Sequence, residues 1–137
     1  MTGNRQGIEG DLRARLSTLW IVVLFTMLYA DVLSFLDAEF LRGLMAGHAG
    51  GVPVTSALLV GSAVMVEIPI VMVMSSRVLK PAVMRRVTLV AAPLTAAFVI
   101  GGGSVKPHYL VLAAVELVCL AVIVRLAWRM ATSPTLT

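Results

Sequence analysis

Three carboxyl side chains lie inside long apolar runs of this 137-residue chain: Asp31, Glu67 and Glu116. A charged carboxylate at the middle of a bilayer costs about 3 kcal/mol on insertion scales, so an acid kept there is read first as a functional group. No Lys or Arg falls at a comparable depth in the sequence, so each carboxyl must be carried neutral, hydrogen-bonded or matched by a bound cation. The chemistry on offer is the binding or passage of a proton or a small cation. Ser34 follows Asp31 by three residues, while Tyr109 precedes Glu116 by seven and Cys119 follows it by three, all spacings that share a helix face. A polar strip made of Asp31, Ser34, Glu67, Tyr109 and Glu116 is reachable in a four-helix bundle. The plainer alternative is that each neutral acid donates a hydrogen bond that sets helix register, worth about 1 kcal/mol apiece.

Other chemistries find less support. His48 and His108 fall on one side of the expected membrane with Asp37 and Glu39, but neither shows ligand spacing such as HxxxH, so solvated loop histidines are expected and no metal. The eight methionines read as packing and lipid contact rather than a copper path. A single cysteine, Cys119, excludes an intramolecular disulfide and a CxxC redox pair. There is no phosphate loop, nucleophile elbow, dinucleotide fingerprint or nucleic-acid motif. No cofactor is expected, and no enzymatic activity.

The elements that would carry the acids are long apolar helices. Of the residues, 59% are hydrophobic and 13% charged, against about 25% charged in an ordinary soluble domain. Such a chain lacks the polar surface to coat a globule, and lipid is the economical solvent. The run VTSALLVGSAVMVEIPIVMVMSS over 54–76 holds 23 residues, which as a helix span roughly 35 Å and cross a hydrocarbon core. Similar runs predict spans at about 16–36, 83–103 and 109–128 within a membrane domain at 16–130. Residues 1–15 read as a mobile polar tail, and 131–137 as a second one. Pro69 and Pro93 each delete a backbone donor inside a span and predict a kink or loosening there. Asp37 is a plausible N-cap for a short amphipathic segment with Phe40, Leu41, Leu44 and Met45 on one face, an expected interfacial helix broken by Gly47, Gly50, Gly51 and Pro53.

Basic residues set the topology. Arg5, Arg13 and Arg15, then Arg77, Lys80, Arg85 and Arg86, then Arg125 and Arg129 gather at one side, leaving only Arg42 and Lys106 for the opposite loops. The fold class expected is therefore all-α: an integral membrane four-helix bundle with both termini cytoplasmic. The location expected is the bacterial inner (cytoplasmic) membrane, crossed several times.

The segments LYADVLSFLD (28–37), EIPIVMVMSSRVLK (67–80) and AAVELV (113–118) resemble a family of small bacterial four-span membrane proteins of unknown function, similar in layout to DoxX-like proteins. That resemblance implies a four-helix membrane bundle and no established activity. Some DoxX-like proteins are associated with quinone or thiol redox systems, and the single cysteine speaks against the thiol role. Three functions follow as expectations. The first is a non-enzymatic subunit or assembly protein with a membrane-protein partner or a second copy. The alternative is a small proton-coupled transporter using the carboxyls, and the third is a DoxX-like quinone-associated protein. The bilayer is the common partner in all three, and nucleic acid in none.

Overall fold

In the computed structural model, described over residues 2–130 with side chains over 6–130, helix α1 (Thr2–Leu36) is 35 residues long. At 1.5 Å per residue that is about 52 Å, well beyond a hydrocarbon core of about 30 Å. The expected polar tail is thus the first turns of α1 rather than a separate segment. Charge supports it locally: Arg15 pairs with Asp11 one turn earlier at 3.0 Å, and Leu12 already packs against the core. The expected tail at 131–137 lies outside the described residues.

Asp37 ends α1 and starts α2 (Ala38–Met45), its carboxylate accepting the backbone N–H groups of Glu39 and Phe40. Phe35 and Phe40 meet edge to face across that junction, their ring centroids 6.2 Å apart. Beyond α2 the chain forms a small hairpin, β1 (His48–Ala49) and β2 (Val52–Pro53), which the sequence reading did not anticipate. Its two-residue turn is Gly50-Gly51, both at positive φ, where a side chain would be strained.

Helix α3 (Ser56–Val78) is capped by Thr55, whose hydroxyl accepts the N–H of Leu58. Only Leu79 and Lys80 separate it from α4 (Pro81–Gly101), so the two must run antiparallel. Pro81 stands in the first turn of α4, where its missing N–H costs nothing. Helix α5 (Pro107–Met130) follows a short turn. Both α3 and α4 run unbroken through Pro69 and Pro93.

Helices α1, α3, α4 and α5 are each long and apolar enough to cross a membrane. Each packs on two neighbours: α1 and α4 both lie against α3 and α5, forming a four-cornered bundle with α3–α4 the loosest side. The buried positions run Leu16, Trp20, Val23, Met27, Ala30 in α1 and Glu116, Leu120, Ile123, Ala127, Met130 in α5. Alternating steps of four and three are a heptad seam, the pattern of closely packed, nearly parallel or antiparallel helices. Outside that seam the surface is oily: Phe25, Leu28, Leu59, Val60, Val90 and Val118 are all more than half exposed. A soluble domain does not display so much contiguous apolar area.

Candidate functional site

The end of the bundle where α1 begins and α5 finishes is its basic end; the end carrying α2 and the hairpin is its loop end. From the midpoint of the bundle towards the loop end, α1 and α5 bring Asp31, Tyr109 and Glu116 into electrostatic reach of one another. Glu116 occupies a seam position where its neighbours in the heptad are Leu120 and Ile123, and is 3% exposed. Its Oε1 has no hydrogen-bond partner among the described residues. Asp31 sits one residue beyond the buried Ala30, at the exposed edge of the same seam. Cys119, one turn further along α5, is also within the field of Glu116. Two carboxyls and a phenol therefore line one interface, with no basic partner for either acid among the described residues.

The two hydroxyls of the expected strip are both spent on backbone carbonyls. Ser34 donates its hydroxyl to the Ala30 carbonyl at 2.8 Å, which uses the group on its own helix. Tyr109 donates to the Val99 carbonyl at 2.7 Å, tying α5 to the last turn of α4. Gly103 permits that closure, because a Cβ there would meet the Ile100 carbonyl at 3.0 Å and the Tyr109 ring at 3.3 Å.

Glu67 does not join the other two acids. It stands at the middle of α3, exposed, in an open groove of about 550 Å³ between α3 and α4. Val64, Ile68, Val71, Val87, Val90 and Leu94 form the apolar walls, and Arg86 enters from the basic end. Among the described residues Glu67 and Arg86 form no ion pair. Helix direction explains this: side chains tilt toward the N-terminus of their helix, and α3 and α4 are antiparallel, so Glu67 leans toward the loop end and Arg86 away from it. Pro69 is buried two residues beyond Glu67, whereas Pro93 is exposed on α4.

At the loop end, Lys106 donates to the Asp37 carboxylate and, at 3.1 Å, to Glu39. One carboxylate thus caps α2 through Oδ1 and receives Lys106 through Oδ2. The Lys106 ammonium, followed by the Phe40 N–H, holds the Asp37 carboxyl down at about 2. Asp37, followed by Glu39, raises the Lys106 ammonium above its ordinary value. Asp37 as a cap was legible from sequence; its second partner, 69 positions away, was not. The signal available was that Lys106 is one of only two basic residues facing this side.

His48 lies in β1 and donates Nδ1–H to the Ala46 carbonyl at 3.0 Å, while His108 stands half-buried in the first turn of α5. Among the described residues no three His, Cys, Asp or Glu side chains gather as a metal site. Arg13 and Arg77, which the sequence marks only as topology-setting basic residues, line a second cleft at the basic end. Arg77 donates Nε–H to the hydroxyl of the buried Ser17 at 3.2 Å, and Ser17 in turn donates to the Val73 carbonyl.

No curated protein and no solved structure matches the chain. The model of one family, described as a family of unknown function (DUF6326), matches residues 7–135, from the polar turns of α1 through the end of α5. Its four long apolar helices and the span of that match agree, and the chain belongs to DUF6326.

Proposed function

We propose that this chain is a small multi-pass protein of the bacterial inner membrane, with both termini cytoplasmic, that serves as a non-enzymatic subunit or assembly protein. The observation that carries this reading is Glu67: a carboxyl at mid-helix, in a lipid-facing groove, without a partner among the described residues. Leaving it to hydrocarbon costs several kcal/mol if charged and forfeits a hydrogen bond if neutral. The groove's apolar walls and single acid suit a membrane helix from another protein that offers a basic or amide side chain at the same depth. The cytoplasmic orientation draws on the basic end, where Arg13, Arg77, Arg85 and Arg125 gather. The amphipathic α2, exposing Leu41 and Met45 beside the loop end, suits the opposite membrane interface.

Photo-crosslinkers placed at Val64 or Val90, inside the groove, and at Val118, on the lipid face of α5, test this in intact membranes. The expected outcome is a stoichiometric protein adduct from the groove positions only, mapping to another chain's membrane segment and lost in Glu67→Ala. Lipid adducts alone, or equal capture from Val118, overturn the reading.

A second reading is favoured by Glu116, whose Oε1 is unpaired in the bundle interior beside Asp31. Here the two acids hold a proton or a small organic cation for transport. In liposomes, Asp31→Asn and Glu116→Gln should each reduce proton-coupled cation flux at least ten-fold; flux equal to wild type removes them from any mechanism. A DoxX-like association with quinone rests on layout alone, and a colourless, quinone-free preparation removes it.

A further inference from the structure

The second cleft, of about 240 Å³, is lined by Gly10, Arg13, Ala14 and Arg77. It forms where the polar first turns of α1 overhang the end of α3. Two guanidinium groups line it and no carboxylate does; of the acids in the first turns of α1, Asp11 is engaged by Arg15, and Glu9, one turn before Arg13, forms no ion pair with it among the described residues. Arg13 makes no hydrogen bond or ion pair among the described residues, and its Nε is buried without a partner. Arg77 spends its Nε on Ser17 alone, which orients its fork while leaving the two terminal nitrogens without a carboxylate. Two like charges beside one cleft repel, and a buried guanidinium nitrogen without an acceptor costs free energy. An anion between them removes both penalties.

We propose that the Arg13–Arg77 cleft is an anion site that holds a phosphate group, from either an acidic lipid headgroup or a soluble phosphate. The chemistry is that of a planar, permanently charged fork that meets phosphate oxygens through paired hydrogen bonds. Position favours the headgroup: the cleft lies between the first turns of α1 and the last turn of α3, at the basic end of two helices apolar enough to span a membrane, and basic pockets between membrane helices bind anionic headgroups. The site is independent of the Glu67 groove and of the Asp31–Glu116 interface, since it shares no residue with either.

The full chain in detergent is titrated with short-chain phosphatidylglycerol, with matched phosphatidylcholine and with inorganic phosphate, and bound ligand is counted by native mass spectrometry. Phosphatidylglycerol is expected to bind more tightly than phosphatidylcholine. Arg13→Gln and Arg77→Gln should each weaken it by about five-fold, the effect of roughly 1 kcal/mol per basic residue near an anionic headgroup. Lys80→Gln, a basic change at the same end but outside the cleft, should leave binding unchanged. If inorganic phosphate alone reproduces the Arg13-dependent binding, the site is for soluble phosphate; if only the lipid does, it is a headgroup site. Binding unaffected by Arg13→Gln, or weakened as much by Lys80→Gln, overturns the proposal. Arg13 carries the decisive weight because it has no structural partner whose loss would unfold the end of the bundle.

Discussion

The basic end and the loop end of this bundle are built on different terms. At the basic end the helices close on Leu16, Trp20, Met72, Met84 and Ile123, all nearly inaccessible, and polar links such as Ser17 to Val73 stitch α1 to α3. Toward the loop end α3 contributes no buried residue before Pro69, and the groove holding Glu67 opens beside it. The loop end keeps Ala30, Thr95 and Val99 buried on α1 and α4 and adds polar ties: Lys106 to Asp37 and Glu39, and Tyr109 to Val99. In lipid, packing rather than apolar burial drives helix association, so a closely packed end anchors the bundle and a loosely packed end is free to carry acids and accept partners. The candidate sites follow this division in part: the Asp31–Glu116 interface lies toward the loop end, the Glu67 groove lies at mid-bundle and reaches Met72 and Arg86 on the packed side, and the arginine cleft lies on the rim of the packed end.

The largest expected effect tests the packed end. Trp20→Ala removes a fully buried ring and should cost about 3 kcal/mol, whereas Leu59→Ala on the exposed face of α3 should cost under about 0.5 kcal/mol. Unfolding in mixed micelles titrated with dodecyl sulfate measures both. Equal losses would erase the contrast between the ends.

A smaller effect of opposite sign belongs to Glu116. Glu116→Leu continues the heptad seam, removes an unpaired buried oxygen and relieves the field of Asp31, so it should stabilise the bundle by about 1 kcal/mol. A loss of that size instead would mean the carboxyl donates a structural hydrogen bond. The same micelle titration decides it.

The smallest effect is at the loops. Because the Asp37 carboxyl sits at about 2 rather than its ordinary 3.8, its contribution is complete above pH 3.8 and fades as pH falls toward 2. Lys106 is shifted the other way, so its contribution is complete below pH 10.5 and fades as pH rises beyond that. A carbon-detected NMR titration of the Asp37 carboxyl should give a midpoint near 2, moving up toward 3.8 in Lys106→Ala. An unmoved midpoint would detach the loop before α5 from the α1–α2 junction.

Periodicity and solvent preference are local properties, and so the four spanning helices, the Asp37 cap and the grouping of basic residues at one end could be read from residue order. The chain's apolar excess suits lipid as solvent, and there a helix satisfies every backbone hydrogen bond within its own segment. Helical rotation is less forgiving. Sequence places Asp31, Glu67 and Glu116 each on some face of its own helix, but which faces meet depends on seams formed between helices, where a turn of about 100° per residue moves a side chain from interior to lipid. Tertiary packing put Glu116 in the α1–α5 seam, left Glu67 on the α3–α4 groove and paired Lys106 with Asp37. It also continued α1 as one helix from Thr2 to Leu36, so that Arg13 and Arg77 came to line one cleft. Those outcomes rest on contacts between residues tens of positions apart, and no local pattern of side chains encodes them.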